Sequence, residues 1–109
     1  MKRNKVYLQH ILDSTAAIDS FVAAIKPEEF LEDRLLQDGV IRELEIVGEA
    51  AKNLSEDFRN SNNHIPWKDI MGTRDRLIHE YFGVDLDTVW KTAKQDLPRL
   101  KKWVDDLMM

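Results

Sequence analysis

The segment from Thr73 to Phe82 concentrates the side chains that are able to do chemistry. Arg74 occupies a step of an otherwise apolar helical stripe, where its guanidinium needs an acceptor or an anion. His79 is a side chain that exchanges protons near neutral pH. From the residues alone, Arg74 also fits a snorkelling or ion-paired structural arginine, and His79 an ordinary surface or core histidine. Both alternatives stay open at this point.

Arg74 and His79 are five residues apart, which places them about 140° apart around a straight helix. They therefore do not share one face. Joint action requires a bend in the helix or a second copy of the chain.

The elements around this segment are predicted to be helices. Apolar residues recur every three or four positions in three stretches, whereas no stretch alternates with period two. The three apolar seams are Leu8, Ile11, Thr15, Ile18, Val22 and Ile25; Leu36, Val40, Leu44, Val47, Ala51 and Leu54; and Leu86, Val89, Ala93, Leu97, Leu100, Val104 and Leu107. The pattern predicts an all-α, antiparallel up-and-down bundle of four to five helices.

Local signals refine this expectation. Residues 55–65 are polar and predict the main loop. Asp85 or Asp87 is expected to cap the last helix, and Pro98 to kink or break it near residues 95–97. Gly48 is expected to allow close packing of a neighbouring element.

Length and composition limit the functional class. A chain of 109 residues fits one domain, residues 1–109. It has no cysteine, and its histidines lack paired ligand spacing, so we expect no metal and no cofactor. No apolar run approaches the ~18 residues of a membrane span, and the basic start lacks a signal-peptide core, which predicts a cytoplasmic protein with no membrane contact.

The net charge of −4 argues weakly against nucleic acid as a partner. A basic cluster nevertheless lies near the end of the chain: Lys91, Lys94, Arg99, Lys101 and Lys102. A solvated helix face is the favoured interpretation of this cluster. Exposed aromatic rings can stack on RNA bases. The three tryptophans, Trp67, Trp90 and Trp103, lie on or beside the seams, so packing in the core or in a dimer interface is the favoured prediction for them.

The pattern Arg-x4-His-x-Tyr, formed by Arg74, His79 and Tyr81, resembles the signature of HEPN-domain ribonucleases in the variant typical of HepT toxins. Asp75 fits the position after the arginine. The flanks are similar too: Ile65-Pro66-Trp67, Tyr81-Phe82-Gly83-Val84-Asp85, Val89-Trp90, Asp96-Leu97-Pro98 and the stretch from Ile46 to Ala51. The likeness covers nearly the whole chain.

The resemblance implies a HEPN-like helical bundle that forms a homodimer, with Arg74 and His79 of both copies meeting in one cleft. It also implies metal-independent RNA cleavage, with tRNA or mRNA as substrate. In that chemistry, His79 moves protons during attack by the RNA 2′-hydroxyl, and Arg74 binds the scissile phosphate. Asp75 and Tyr81 would support them.

The same resemblance implies a type VII toxin–antitoxin system, in which an MntA-type nucleotidyltransferase antitoxin adds AMP to Tyr81. Further RNA contacts are expected from Arg76, Lys91 and Lys94. The alternative from a different class is a non-catalytic helical dimer that binds a nucleotidyltransferase partner or a nucleotide.

Overall fold

The structure, a computed structural model, describes residues 2–73 and 85–109, and all regular structure in these two stretches is helical. In chain order the elements are α1 (Lys2–Val22), α2 (Pro27–Glu32), α3 (Arg34–Asn53), α4 (Glu56–Ser61), α5 (Trp67–Met71), α6 (Leu86–Lys91), a π-turn (Thr92–Asp96) and α7 (Leu97–Leu107). The predicted all-α fold is confirmed. None of the helices described is long and apolar enough to cross a membrane.

The helix starts are set by local side chains. Asp33, Ser55 and Asp85 each accept a hydrogen bond from the backbone N–H three residues later, at 3.0, 3.2 and 3.1 Å. Each bond satisfies one of the N–H groups that a helix start leaves without an intrahelical partner. Pro27 is the first residue of α2, where its fixed φ favours helix and its missing N–H costs nothing. The expected cap of the last helical stretch is therefore Asp85, and Asp87 lies inside the helix.

The prediction that residues 55–65 form the main loop was wrong in its first half, because α4 occupies Glu56–Ser61. Ser55 caps this helix, and the acidic residues Glu56 and Asp57 stabilise its positive end. Arg59 on α4 then donates through Nη1 to three carbonyl oxygens near the end of α3, at 2.6–3.3 Å. Hence α4 closes the C-terminal end of α3.

Contacts at both ends of α1 show that α3 runs antiparallel to it. Near the start of α1, the side chain of Asn4 accepts from Ser55 N–H at 3.0 Å and donates to Ser55 Oγ at 3.3 Å. Ser55 directly follows the C-terminal end of α3. Near the end of α1, the ring of Phe21 lies against Gly39, in the first half of α3. These two helices form the most extensive helix pair of the described fold.

The last helical stretch is continuous, but its regular α-geometry is interrupted by a π-turn that overlaps the predicted position. Residues Thr92–Asp96 form a π-turn, in which Leu97 N–H donates to the carbonyl of Thr92, five residues back. Pro98 follows at the start of α7. Because Pro98 has no N–H to donate to the preceding turn, a regular α-helix would leave a carbonyl unpaired there.

The core forms where the three predicted seams meet. Its members from α1, α3 and the last stretch are Leu8, Ile11, Ile18 and Val22; Val40, Leu44, Val47 and Ala51; and Val89, Ala93, Leu97, Leu100 and Val104. Gly48 confirms its expected role, since a Cβ there would lie 3.2 Å from the carbonyl oxygen of Ile70 in α5. The backbone of α5 thus rests directly on α3.

Candidate active site

The predicted site residues on the motif lie outside the residues that the structure describes. They are Arg74, Asp75, Arg76, His79 and Tyr81. The structure describes the chain up to Thr73 and again from Asp85 onward. These flanking residues fix the two ends of the motif segment.

The upstream end is held at Thr73. This side chain is buried, and its Oγ1 donates to the carbonyl oxygen of Ile70 at 2.7 Å and to that of Asp69 at 3.2 Å. The hydroxyl thereby satisfies carbonyls at the end of α5. Since α5 also packs against Gly48, the residue that directly precedes Arg74 has a fixed position in the fold.

The downstream end is held at Asp85, through two hydrogen bonds with one residue. Its Oδ1 accepts from the backbone N–H of Thr88 at 3.1 Å, and its Oδ2 accepts from Thr88 Oγ1 at 2.8 Å. The next turn is anchored by Val89, which is fully buried. Both ends of the motif segment are therefore attached to the core.

A cavity of about 190 Å³ lies between α3, α5, the π-turn and α7, with Thr73 in its wall. Its floor is apolar and buried, formed by Leu44, Val47, Ile70, Leu97 and Leu100. Its rim is exposed and charged, formed by Asp69, Asp96 and Arg99, with the half-buried Trp103 beside them. An apolar floor with a few polar groups at the rim is typical of small-ligand sites.

The two lysines expected to bind RNA have different surroundings. Lys94 donates from Nζ to the carbonyl oxygen of Val22, the last residue of α1, at 3.3 Å. The same ammonium lies 5.4 Å from the ring centre of Trp90, which packs against Phe30. Lys91 is exposed, and its side chain makes no hydrogen bond or ion pair with another residue of the described chain.

The rest of the basic cluster is also heterogeneous. Lys101 forms an ion pair with Asp105 on the same face of α7, at 2.6 Å. Arg99 borders the cavity and has no ion pair among residues 2–73 and 85–109. The expectation of one solvated basic face thus holds only in part, because Lys94 and Lys101 are already engaged.

Trp67 and Trp103 both pack as the sequence predicted. Trp67 is buried and donates from Nε1 to the carbonyl oxygen of Asn62 at 3.1 Å. Trp103 packs against the core with one side and borders the cavity with the other. The sequence analysis did not predict that Trp103 faces a cavity. The four-residue spacing from Arg99 to Trp103 was the available signal, because it places both side chains on one side of α7.

The described histidines form no catalytic pair. His10 stands edge-on to Tyr7, with ring centres 5.6 Å apart, and His64 is exposed. Within the described ranges, no three His, Cys, Asp or Glu side chains are grouped as a metal site would require.

The all-helical fold of the described residues is consistent with that of a HEPN-type domain. The family model described as ribonuclease HepT-like matches residues 11–107. The chain therefore belongs to the HepT-like ribonuclease family.

Curated relatives agree with this membership. A candidate RNase of Caldanaerobacter subterraneus subsp. tengcongensis is 43% identical over 108 residues, covering 99% of this chain and 96% of that protein. A Thermococcus cleftensis protein described as a probable ribonuclease HepT is 48% identical over 102 residues, covering 93% of each chain. No solved structure gives a significant match.

One relative is longer. A Methanocaldococcus jannaschii protein, described as a gamma-glutamylcyclotransferase and candidate RNase, is 46% identical over 104 residues. The match covers 95% of this chain and 47% of that protein. The chain thus spans about half the length of this relative and nearly all of the other two.

Proposed function

We propose that this chain is a metal-independent endoribonuclease and the toxin of a type VII toxin–antitoxin system. The observation that carries the proposal is the match to the HepT-like ribonuclease family over residues 11–107, a range that includes Arg74, His79 and Tyr81. The names of the relatives support RNA as the substrate class.

The proposed reaction uses a nucleophile that RNA itself carries. The 2′-oxygen attacks the adjacent phosphorus while the imidazole of one His79 takes its proton. The bond from phosphorus to the 5′-oxygen breaks, and a second, protonated His79 gives that oxygen a proton. The products are a 2′,3′-cyclic phosphate and a 5′-hydroxyl. Arg74 holds the phosphate through two N–H donors and stabilises its growing charge.

The two copies of His79 come from a homodimer in this proposal. The spacing of five residues separates Arg74 from His79 around a helix, so one copy does not present both to one phosphate without a bend. A two-fold axis next to the segment brings the arginine and histidine of both copies into one composite site.

Supporting roles follow from residue chemistry. Asp75 lies four residues before His79 and is suited to orient it or Arg74. Arg76 contributes positive charge beside the scissile phosphate. Lys91 is our first choice for a flanking phosphate contact, because it is exposed and has no ion pair within the described chain. Lys94 is the weaker candidate, since its ammonium is bound to the end of α1.

We further propose that an MntA-type nucleotidyltransferase inactivates the toxin by adding AMP to Tyr81. The added group brings bulk and negative charge next to a phosphate-binding arginine and histidine. It would exclude RNA by steric overlap and by repulsion of the RNA phosphates.

The deciding experiment is cleavage of tRNA and mRNA by purified, unmodified protein in excess EDTA. We expect products that end in 2′,3′-cyclic phosphate, and a loss of rate of about 10²-fold or more in His79→Ala. The matched control is His64→Ala, which changes an exposed histidine and should cleave normally.

Two outcomes would contradict the proposal. Cleavage that disappears with EDTA and returns with a divalent cation would refute the metal-free mechanism. Absence of cleavage by correctly folded protein would favour the non-catalytic dimer that binds a nucleotidyltransferase or a nucleotide.

A further inference from the structure

The cavity between α3, α5 and α7 has an unusual combination of side chains at its rim. Arg99 lies in the same rim as two carboxylates, those of Asp69 and Asp96, yet forms an ion pair with neither. Within residues 2–73 and 85–109, the guanidinium donors of Arg99 are therefore available beside an apolar cavity. A guanidinium in such a position is suited to a phosphate or another anion.

Trp103 stands one helical turn after Arg99 on the same side of α7 and borders the same cavity. Its indole is half-buried, so it is held by the core and still presents a surface to the cavity. An aromatic ring next to an arginine is the combination with which proteins bind single-stranded RNA, since the ring stacks on a base and the arginine binds the backbone.

The size of the cavity limits its occupant. A volume of about 190 Å³ is well below the roughly 300–1,000 Å³ of pockets that enclose drug-sized ligands. A cavity of this volume can hold one planar nucleobase, while the sugar and phosphate of that nucleotide remain outside at the rim. The buried apolar floor suits the face of a heterocycle, and the rim supplies the polar contacts.

The two carboxylates favour a base that presents N–H donors. Ionised Asp69 and Asp96 are acceptors only. Guanine offers two neighbouring donors on one edge, adenine and cytosine each offer an amino group, and uracil offers a single N–H between two carbonyl oxygens that a carboxylate repels. We therefore expect the cavity to bind guanine most tightly and uracil least tightly.

The position of the cavity relates it to the cleavage site. Thr73 forms part of its wall, and Arg74 is the next residue in the chain. If Arg74 binds the scissile phosphate, a base in the cavity belongs to a nucleotide next to the cleaved bond. This step rests on the proposed function.

We propose that this cavity is a nucleobase subsite for single-stranded RNA. Trp103 stacks on the base, the carboxylates of Asp69 and Asp96 accept from its amino edge, and Arg99 binds the neighbouring phosphate. The subsite selects the sequence at which the RNA is cut.

The test measures binding apart from cleavage. Short oligoribonucleotides with 2′-O-methyl groups lack the nucleophile and cannot be cut, so their fluorescence anisotropy reports affinity alone. A guanine-containing oligomer should bind the unmodified protein more tightly than its uracil counterpart. Arg99→Gln and Trp103→Leu should each weaken binding by about tenfold or more. Asp69→Asn with Asp96→Asn should reduce the preference for guanine over uracil.

Matched control variants distinguish the loss of a contact in the cavity from a general change in charge or folding. Arg34→Gln removes an arginine whose side chain is 89% exposed and pairs only with Asp38 within the described chain, so binding should change less than twofold. Trp103→Phe keeps an aromatic ring and should retain most of the affinity. Circular dichroism confirms that Trp103→Leu folds, and Arg99→Gln changes an exposed side chain.

The outcomes distinguish this subsite from the cleavage proposal. Unchanged binding in folded Arg99→Gln and Trp103→Leu, while His79-dependent cleavage persists, would overturn the subsite alone. Binding that depends on Arg99 and Trp103 without any cleavage would support a base-binding cavity, and it would refute both the nuclease and the role of the cavity in choosing the cleaved sequence. Guanosine monophosphate that binds as tightly as the oligomer would assign the cavity to a free nucleotide and would overturn its role in RNA selection.

Discussion

Lys91 and Lys94 show how neighbouring residues of one type have different roles. They are three positions apart, but only Lys94 reaches back to α1, where its ammonium binds the carbonyl oxygen of Val22. That carbonyl also accepts from the backbone N–H of Ile25 at 3.4 Å, and it lies at the C-terminal end of α1, where the helix dipole is favourable for a cation. Lys94 is thus a helix cap provided from 72 residues away along the chain.

We predict that Lys94→Met lowers the free energy of unfolding by about 1 kcal/mol, because it removes a hydrogen bond from a charged donor and a contact with the Trp90 ring. Lys91→Met should change it by less than about 0.5 kcal/mol. Urea denaturation of both variants checks this difference.

For RNA binding, we expect the Lys91 substitution to have the larger effect and the Lys94 substitution the smaller one. If Lys91 contacts a phosphate, its loss reduces the slope of log affinity against log salt by about 0.7 for single-stranded RNA. The slope should be unchanged in Lys94→Met. A reduced slope in Lys94→Met together with full stability would show that Lys94 contacts RNA after all.

At the scale of elements, helix α3 contains two glycines with different neighbours. A Cβ at Gly39 would lie 3.3 Å from the ring of Phe21, an exposed side chain that is able to move. A Cβ at Gly48 would lie 3.2 Å from the backbone oxygen of Ile70, which moves only if α5 moves. The first glycine is therefore replaceable, and the second sets the distance between two helices.

We predict that Gly39→Ala raises the free energy of unfolding by up to about 1 kcal/mol, the gain expected when alanine replaces glycine in a helix. Gly48→Ala should lower it by about 1 kcal/mol, since overpacking against a backbone outweighs that gain. Thermal unfolding of the two single variants provides the comparison. Equal stabilisation by both would show that α5 does not rest on Gly48.

At the scale of the whole molecule, the proposed regulation needs a partner that recognises one tyrosine. The chain has two tyrosines, Tyr7 and Tyr81. Tyr7 lies in α1, in edge-on contact with His10 and beneath the guanidinium of Arg3. It lies outside the motif in the sequence and is a natural control.

We predict that Tyr81→Phe protein incubated with the nucleotidyltransferase and ATP gains no AMP by intact-mass spectrometry, because it lacks the phenol oxygen that accepts the group. Tyr7→Phe should be modified normally. AMP incorporation into Tyr81→Phe would place the acceptor elsewhere, whether or not the variant still cleaves RNA.

The charge of the whole molecule is consistent with a localised RNA site. With a net charge of −4, the chain does not attract RNA over its entire surface. Contacts would depend on a few cations, and the described structure engages Lys94 and Lys101 internally while Lys91 and Arg99 stay available. Single-domain organisation and the homodimer stay predictions at this scale.

The sequence predicted much of the fold because local patterns encode local structure. The apolar seams identified most buried positions of α1, α3 and α7, and Pro98 indicated the irregular turn in the last helical stretch. The short helix α4 was missed because its six residues are polar and too few to show a periodic seam. Its signal was the cap, Ser55 followed by two acidic residues.

By itself, the sequence determined the all-α class, the aspartate cap of the last helical stretch and the motif that led to the family. These properties depend on residues near one another in the chain, which periodicity and spacing describe. Only the tertiary structure decided that Lys94 caps α1, that Arg59 closes α3, and that Leu44 and Trp103 border one cavity. The physical reason is that each of these depends on the packing of separate elements, and the pattern of one helix records which face is buried but not what covers it.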